Sequence, residues 1–162
     1  MEVFKLSMRR KDKEITDVKK MEEILNKAEV LRLAMCDDGE PYLVAMNFAF
    51  MEGCIYMHSA REGRKIDILK KNGGVAFQTD TDVELLIKEA ASECTTRYQS
   101  VFGTGTAVLV DEKEEKISAL DAIMAKYTGK AGFGCPDAVL AKTAVIKVQI
   151  ETMTGKRSGF ET

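Results

Sequence analysis

The sequence is poor in the residues that build metal sites. Its 162 residues hold one histidine, His58, and four cysteines, Cys36, Cys54, Cys94 and Cys135. One histidine excludes a multi-histidine site, and the absence of any CxxC pair or Cys/His cluster argues against structural zinc. The scattered cysteines read as reduced, mostly buried thiols of a cytosolic protein. No stretch approaches the ~20 apolar residues that span a bilayer. Residues 1–17 are charged and lack the apolar core of a signal peptide. A cytoplasmic protein without a membrane partner is therefore the expectation. A clustered basic face is missing too: net charge is −2 and both signs are spread along the chain, which speaks against nucleic acid as partner. No repeat or linker is visible. The length suits one domain over 1–162, large enough to bury roughly 70 % of its unfolded surface, with 1–15 as a charged, exposed N-terminal arm.

What is present is β-rich. Thr16 reads as the N-cap of an amphipathic helix over 17–28, with Val18, Met21, Leu25 and Ala28 at helical spacing and Ile24 widening the stripe. Leu31, Leu33 and Met35 then alternate as a strand. Asp37-Asp38-Gly39-Glu40 is a hairpin turn. In the next strand Tyr42, Val44, Met46, Phe48 and Phe50 share one face. Leu43, Ala45, Asn47 and Ala49 share the other, and these are mostly small, so a flat ligand can lie close to the backbone. Met51-Glu52-Gly53 turns into a strand over 54–59. A basic helix over 62–71 ends at Asn72-Gly73-Gly74. Residues 75–79 form a strand, and 80–92 are ambiguous: Leu85-Leu86-Ile87 reads as a strand, while the flanking acids suggest an excursion or a loop. A long β run covers 95–110, where Gly103 and Gly105 leave one face bare; such glycines mark a bend or a close approach. A helix follows, capped by Asp111, with the apolar stripe Ile117, Leu120, Ile123, Met124 and Tyr127. Residues 128–136 are a Gly-rich loop, 137–142 a helical turn, 143–151 the last strand, and 154–157 a basic tail. Six to seven mostly antiparallel strands with peripheral helices predict a mainly β (α+β) barrel.

The chemistry concentrates in 41–71. His58 ends one strand, and Ser59, Gly63, Arg64 and Lys65 follow at the start of a helix. A helix N-terminus offers free N–H donors and partial positive charge, a natural seat for phosphate. Ser59 adds a hydroxyl, Gly63 close backbone approach, Lys65 a full charge and Arg64 a two-pronged donor. From the residues alone, a solvated face of Lys65, Lys70 and Lys71 explains the pattern too. His58 fits proton transfer or a ligand contact; a strand-end histidine held by a carbonyl is the alternative.

The blocks Met8–Ile15, Asp38–Phe48, Ile55–Ala60 with Gly63-Arg64-Lys65, Thr95–Val101 and Met153–Lys156, in that order and spacing, resemble the 5-nitroimidazole-resistance (nitroimidazole reductase) family. That family lies within the pyridoxamine 5′-phosphate oxidase-like, FMN-binding split β-barrels. The resemblance implies a split barrel that dimerises around two FMN sites. It places Val44, Ala45, Met46 and Asn47 along the flavin ring, His58 and Ser59 beside ring and ribityl chain, and Gly63, Arg64 and Lys65 at the phosphate. Arg97, Tyr98 and Ser100 come from the second subunit. His58-Ser59 replaces the Tyr-Thr pair usual in pyridoxamine phosphate oxidases, and their basic terminal segment is missing, so vitamin B6 chemistry is not expected. The implied activity is FMN-dependent reduction of nitroaromatic, 5-nitroimidazole-like compounds, with His58 as the catalytic candidate. The alternatives are a flavin carrier or sensor without turnover, and a split barrel that binds haem or a deazaflavin.

Overall fold

A computed structural model describes residues 8–160. The first seven residues of the expected arm lie outside that range. Eight strands and four α-helices alternate as β1 (Glu14–Ile15), α1 (Val18–Lys27), β2 (Leu31–Asp37), β3 (Glu40–Met46), β4 (Phe48–Met51), β5 (Cys54–Ala60), α2 (Arg64–Lys71), β6 (Gly74–Leu86), β7 (Thr95–Leu109), α3 (Lys113–Thr128), α4 (Asp137–Leu140) and β8 (Thr143–Ser158). All pairings are antiparallel. The strands run in the order β3-β2-β6-β7-β8-β5-β4, with β1 beside β8. The two ends of that row, β3 and β4, are consecutive pieces of one segment bent at Asn47. The chain itself thereby closes the sheet into a barrel.

The barrel core is filled by alternate residues, among them Leu31, Leu33, Phe48, Ile55, Met57, Phe77, Val101 and Ile146, all 1 % exposed or less. The predicted Tyr42–Phe50 face packs on this core, while Leu43, Ala45 and Asn47 stay exposed on the outside. α2 adds Ile66, Ile68 and Leu69 to the core. A second cluster of Tyr56, Val110, Ala119 and Val145 lies outside the barrel, under α3.

Several sequence expectations need correction. Eight strands form rather than six or seven. The bend at Asn47 splits one predicted strand, and Ile15 of the expected exposed arm is buried in a short strand against β8. The unclear stretch 80–92 continues β6 through Leu86, with a register shift between Thr81 and Glu84 where Asp82 takes φ 57°. The basic tail is the end of β8: Lys156 and Arg157 face Ser100 and Gln99 of β7. Both extensions escaped periodicity because β6 and β8 each follow β7 beyond the barrel, and charged residues sit on their exposed sides. Asp17, not Thr16, caps α1; its carboxylate accepts from the Lys19 amide at 2.9 Å. Glu112, not Asp111, is the residue before α3, and its side chain makes no capping bond. None of the cysteines is fully buried: Cys36 and Cys94 are exposed, Cys54 and Cys135 half-buried, and all are free thiols.

The bend at Asn47 is held from α3. The Phe48 amide donates to the Tyr127 hydroxyl at 3.1 Å, and that hydroxyl donates to the Glu29 carbonyl at 2.6 Å. Beside it, the Lys126 amine stands 3.3 Å from the Phe48 ring centre and donates to the Leu25 carbonyl at 2.9 Å. Burial pushes this lysine down from 10.5 to about 8. Below pH 8 the amine is charged in both states. From about 8 to 10.5 the folded chain has released the proton that the unfolded chain still holds, so stability rises with pH in that window. Allowing for partial exposure, the gain is about 1 to 2 kcal/mol. Denaturant midpoints at pH 7.5 and 10 should show this rise in the native chain and a smaller one in Lys126→Met; equal rises would refute it.

Candidate functional site

The ladder between β4 and β5 stops at Phe48 and Met57. One more rung would set Asn47 against His58, and a second Met46 against Ser59, but no pairing forms there. From His58 to Ala60, β5 pairs only with β8, and β3 pairs only with β2. The barrel is therefore split along these two free edges. Ala45, Met46 and Asn47 lie on one lip of the split, His58 and Ser59 on the other. Ala45 and Asn47 are exposed, Val44 is half-buried and Met46 is buried in the core. The Ser59 hydroxyl donates to the Ala60 carbonyl at 2.6 Å.

β5 feeds directly into α2. Gly63 opens the helix with φ 117° and ψ 165°, a conformation suited to glycine, and a Cβ there would meet nothing within 4 Å. Its carbonyl takes the amides of Ile66 and Asp67 at 2.9 and 3.1 Å. The amides of Arg64 and Lys65 have no backbone partner, as the first turn of any helix requires. Arg64 is engaged: its guanidinium lies 4.7 Å over the Tyr42 ring and 3.7 Å from the Asp37 carboxylate. Lys71 also turns to Asp37, at 3.5 Å. Lys65 is half-buried and has no hydrogen bond or ion pair among the described residues. The cation at this helix start that is ready for a new anion is Lys65.

Arg97, Tyr98 and Ser100 are elsewhere in the chain. Ser100 pairs with Asp80, two residues beyond Gln78, which pairs with Arg32. Asp37, beside Arg64, is five residues along β2 in the other direction. About seven strand residues, roughly 23 Å, separate the two groups. Arg97 is tied to Glu84 and lies 5.6 Å from the Phe160 ring centre; Lys156 stands 5.4 Å over Tyr98. One copy of the chain thus brings the β3, β5 and α2 residues together and leaves the Arg97–Ser100 group apart.

His58 projects outside the barrel, on the same side of β5 as Tyr56, toward α3. That helix is fastened two residues away. The Tyr56 hydroxyl donates to Glu115 at 2.9 Å, and Lys147 pairs with the same carboxylate oxygen at 2.7 Å. These two donors hold Glu115 below the usual carboxylate range, and Glu115 raises Lys147. Burial, then the bond to Glu115, pushes Tyr56 up. The fastening leaves a cavity of about 690 Å³ between α3 and the loop after it, with His58 in its wall. Sequence reasoning did not find this cavity. Ile117, Leu120 and Met124 stood out only as part of an apolar helix stripe, and of α3 only Ala119 and Ile123 are buried. The one available signal was the run of glycines at 129, 132 and 134.

Gly103 and Gly105 do not line the split. Both are buried, and a register shift of β7 against β8 falls between Thr104 and Gly105. They serve a bend with close backbone packing.

A split antiparallel barrel with an anion-ready helix start at its opening defines a class of cofactor-binding folds. A family model described as pyridoxamine 5′-phosphate oxidase matches residues 17–157, and the chain belongs to the pyridoxamine 5′-phosphate oxidase-like family. A candidate 5-nitroimidazole antibiotic resistance protein from Bacteroides thetaiotaomicron is 32 % identical, over 89 % of this chain and 86 % of that one, with a TM-score of 0.80. The FAD and haem binding protein of Mycobacterium smegmatis shares the fold at 18 % identity, over 91 % and 74 % of the two chains, TM-score 0.80. The flavocytochrome Anf3 of Azotobacter vinelandii does so at 17 %, over 95 % and 73 %, TM-score 0.79. No curated protein sequence matches the chain. Among the described residues, no helix is long and apolar enough to cross a membrane.

Proposed function

We propose that the protein is an FMN-dependent oxidoreductase that works as a homodimer and reduces nitroaromatic compounds. The observation that carries the proposal is the helix start at the lip of the split: two unpartnered amides, a glycine free of neighbours and an uncommitted lysine. Such a group suits a phosphate ester. The fit extends along the lip, where exposed Ala45 and Asn47 leave room for a flat ring and the Ser59 hydroxyl stands beside the route to the phosphate. When bound, the flavin supplies the electron exchange. The chain's own residues hold and orient it: Lys65 and the Arg64 and Lys65 amides at the phosphate, and Arg64 once turned from Asp37. Val44 to Asn47 support the ring. His58, exposed on the opposite lip, is placed for proton transfer to an acceptor molecule. The seven-residue gap to Arg97, Tyr98 and Ser100 favours their service in a second copy's site.

The likeness to the Bacteroides resistance protein supports a nitroaromatic acceptor. The test is to load the protein with FMN, reduce it anaerobically, and add a 5-nitroimidazole. Rapid reoxidation in the native chain and slower reoxidation in His58→Ala, with FMN still held, are expected. Reduced flavin that persists would mark a carrier or sensor. A second reading, haem, is favoured by His58 opening onto an apolar cavity; a Soret band in the freshly purified protein would support it.

A further inference from the structure

We propose that the cavity between α3 and the 130–135 loop is a ligand site for a flat, largely apolar molecule of one or two rings, neutral or cationic. That this ligand is the electron acceptor rests on the redox reading above; its chemistry stands on the cavity alone.

α3 is a 16-residue helix whose apolar stripe is only partly packed away, Ile123 being its buried member. Ile117 and Leu120 are half-buried and Met124 is 39 % exposed. Facing them are Phe133 and Val139, both more than half exposed. Two apolar walls that stand apart rather than collapse together need something to hold them so. Asp121 does this: one carboxylate oxygen accepts from the Gly132 amide at 2.6 Å and the Phe133 amide at 3.1 Å. Gly129, Gly132 and Gly134, at φ 70°, 80° and 66°, let the loop rise off the helix and return. The cavity's volume of about 690 Å³ falls within the ~300–1,000 Å³ of small-molecule sites. Met124 adds an adaptable thioether that favours aromatic rings.

The charges select further. Among the described residues, the ionisable groups lining the cavity are His58, Glu114, Asp121 and Cys135, and no lysine or arginine lines it. Nearby basic groups of α3 are occupied: Lys113 pairs with Asp137 at 2.8 Å, and Lys116 donates to the Leu140 carbonyl at 3.2 Å. An anion would enter an apolar space flanked by carboxylates with no lysine or arginine among its described lining residues to receive it, a costly transfer. His58 is the shared wall between this cavity and the lip of the split, so a ligand here reaches the edge of the flavin position.

The test measures binding of 4-nitrobenzyl alcohol, 4-nitrobenzylamine and 4-nitrobenzoate to the full chain by calorimetry, with and without FMN. The alcohol and the amine should bind at least tenfold more tightly than the benzoate, in both forms. Met124→Trp, which fills the cavity, and Phe133→Ala, which removes one wall, should each weaken the alcohol at least fivefold with an unchanged far-UV spectrum. Failure of all three probes to bind either form overturns the proposal. So does benzoate binding as tightly as the alcohol, or native affinity in both variants. A Soret band on adding haemin, lost in both His58→Ala and Met124→Trp, would assign the cavity to a porphyrin and overturn it too. FMN affinity is measured separately: loss of FMN binding with alcohol binding retained would count against the flavin reading and leave the cavity site standing.

Discussion

Gly105→Ala should destabilise the barrel by about 3 kcal/mol or more, a large part of the total stability of a small protein. A Cβ at this position would lie 2.2 Å from the Gln149 carbonyl oxygen and 3.1 Å from a Val148 methyl. Real Cβ atoms do not come so close to backbone, and the backbone cannot swing aside as a long side chain would. β7 and β8 would have to part where they change register. Gly103 is comparable, with Phe77 at 2.3 Å and the Thr152 carbonyl at 2.5 Å. Gly39→Ala is the contrast, since its Cβ would meet nothing within 4 Å; it carries only the strain of φ 94°. Urea midpoints decide it: a Gly105→Ala midpoint within error of the native one would mean that β7 and β8 pack more loosely than described.

Lys65→Ala should weaken FMN binding by about tenfold to a hundredfold, equivalent to ~1.4 to 2.7 kcal/mol. Lys65 has no partner to lose among the described residues, so folding should change little. Arg64→Ala should cost less FMN affinity per charge removed, because Arg64 already rests on Asp37 and Tyr42. It should also lower stability slightly. Lys70→Ala, on the exposed side of the same helix, should change neither. Fluorescence titration of FMN measures all three, and equal affinities for the native chain and Lys65→Ala would refute the phosphate assignment.

The sequence showed strand alternation best where one face met the core. Tyr42, Val44, Met46, Phe48 and Phe50 were assigned correctly to the inner face, and small Ala45 and Asn47 to the outer, whereas Ala49, expected on that outer face, is buried. It could not show that Asn47 is a corner, because the cause is a distant Tyr127 hydroxyl that takes the Phe48 amide. The helix start at Gly63-Arg64-Lys65 was legible, since a turn glycine and a basic run are local features. That Arg64 is occupied and Lys65 is not depends on Asp37 and Tyr42, which fold brings alongside. The α3 stripe misled for a similar reason. Helical spacing reveals an apolar face, but not whether that face meets a sheet or a cavity. Gly103 and Gly105 allowed a bend or a ring contact, and only the approach of Thr152 and Gln149 decides for the bend.

The central claim is that the start of α2, at the split between β3 and β5, holds FMN. Titrating the flavin-free chain with FMN beside riboflavin, which lacks the phosphate, tests it most directly. Saturable FMN binding, with riboflavin at least tenfold weaker and that preference lost in Lys65→Ala, is the predicted result. No FMN binding, or equal affinity for the two flavins in the native chain, would contradict it.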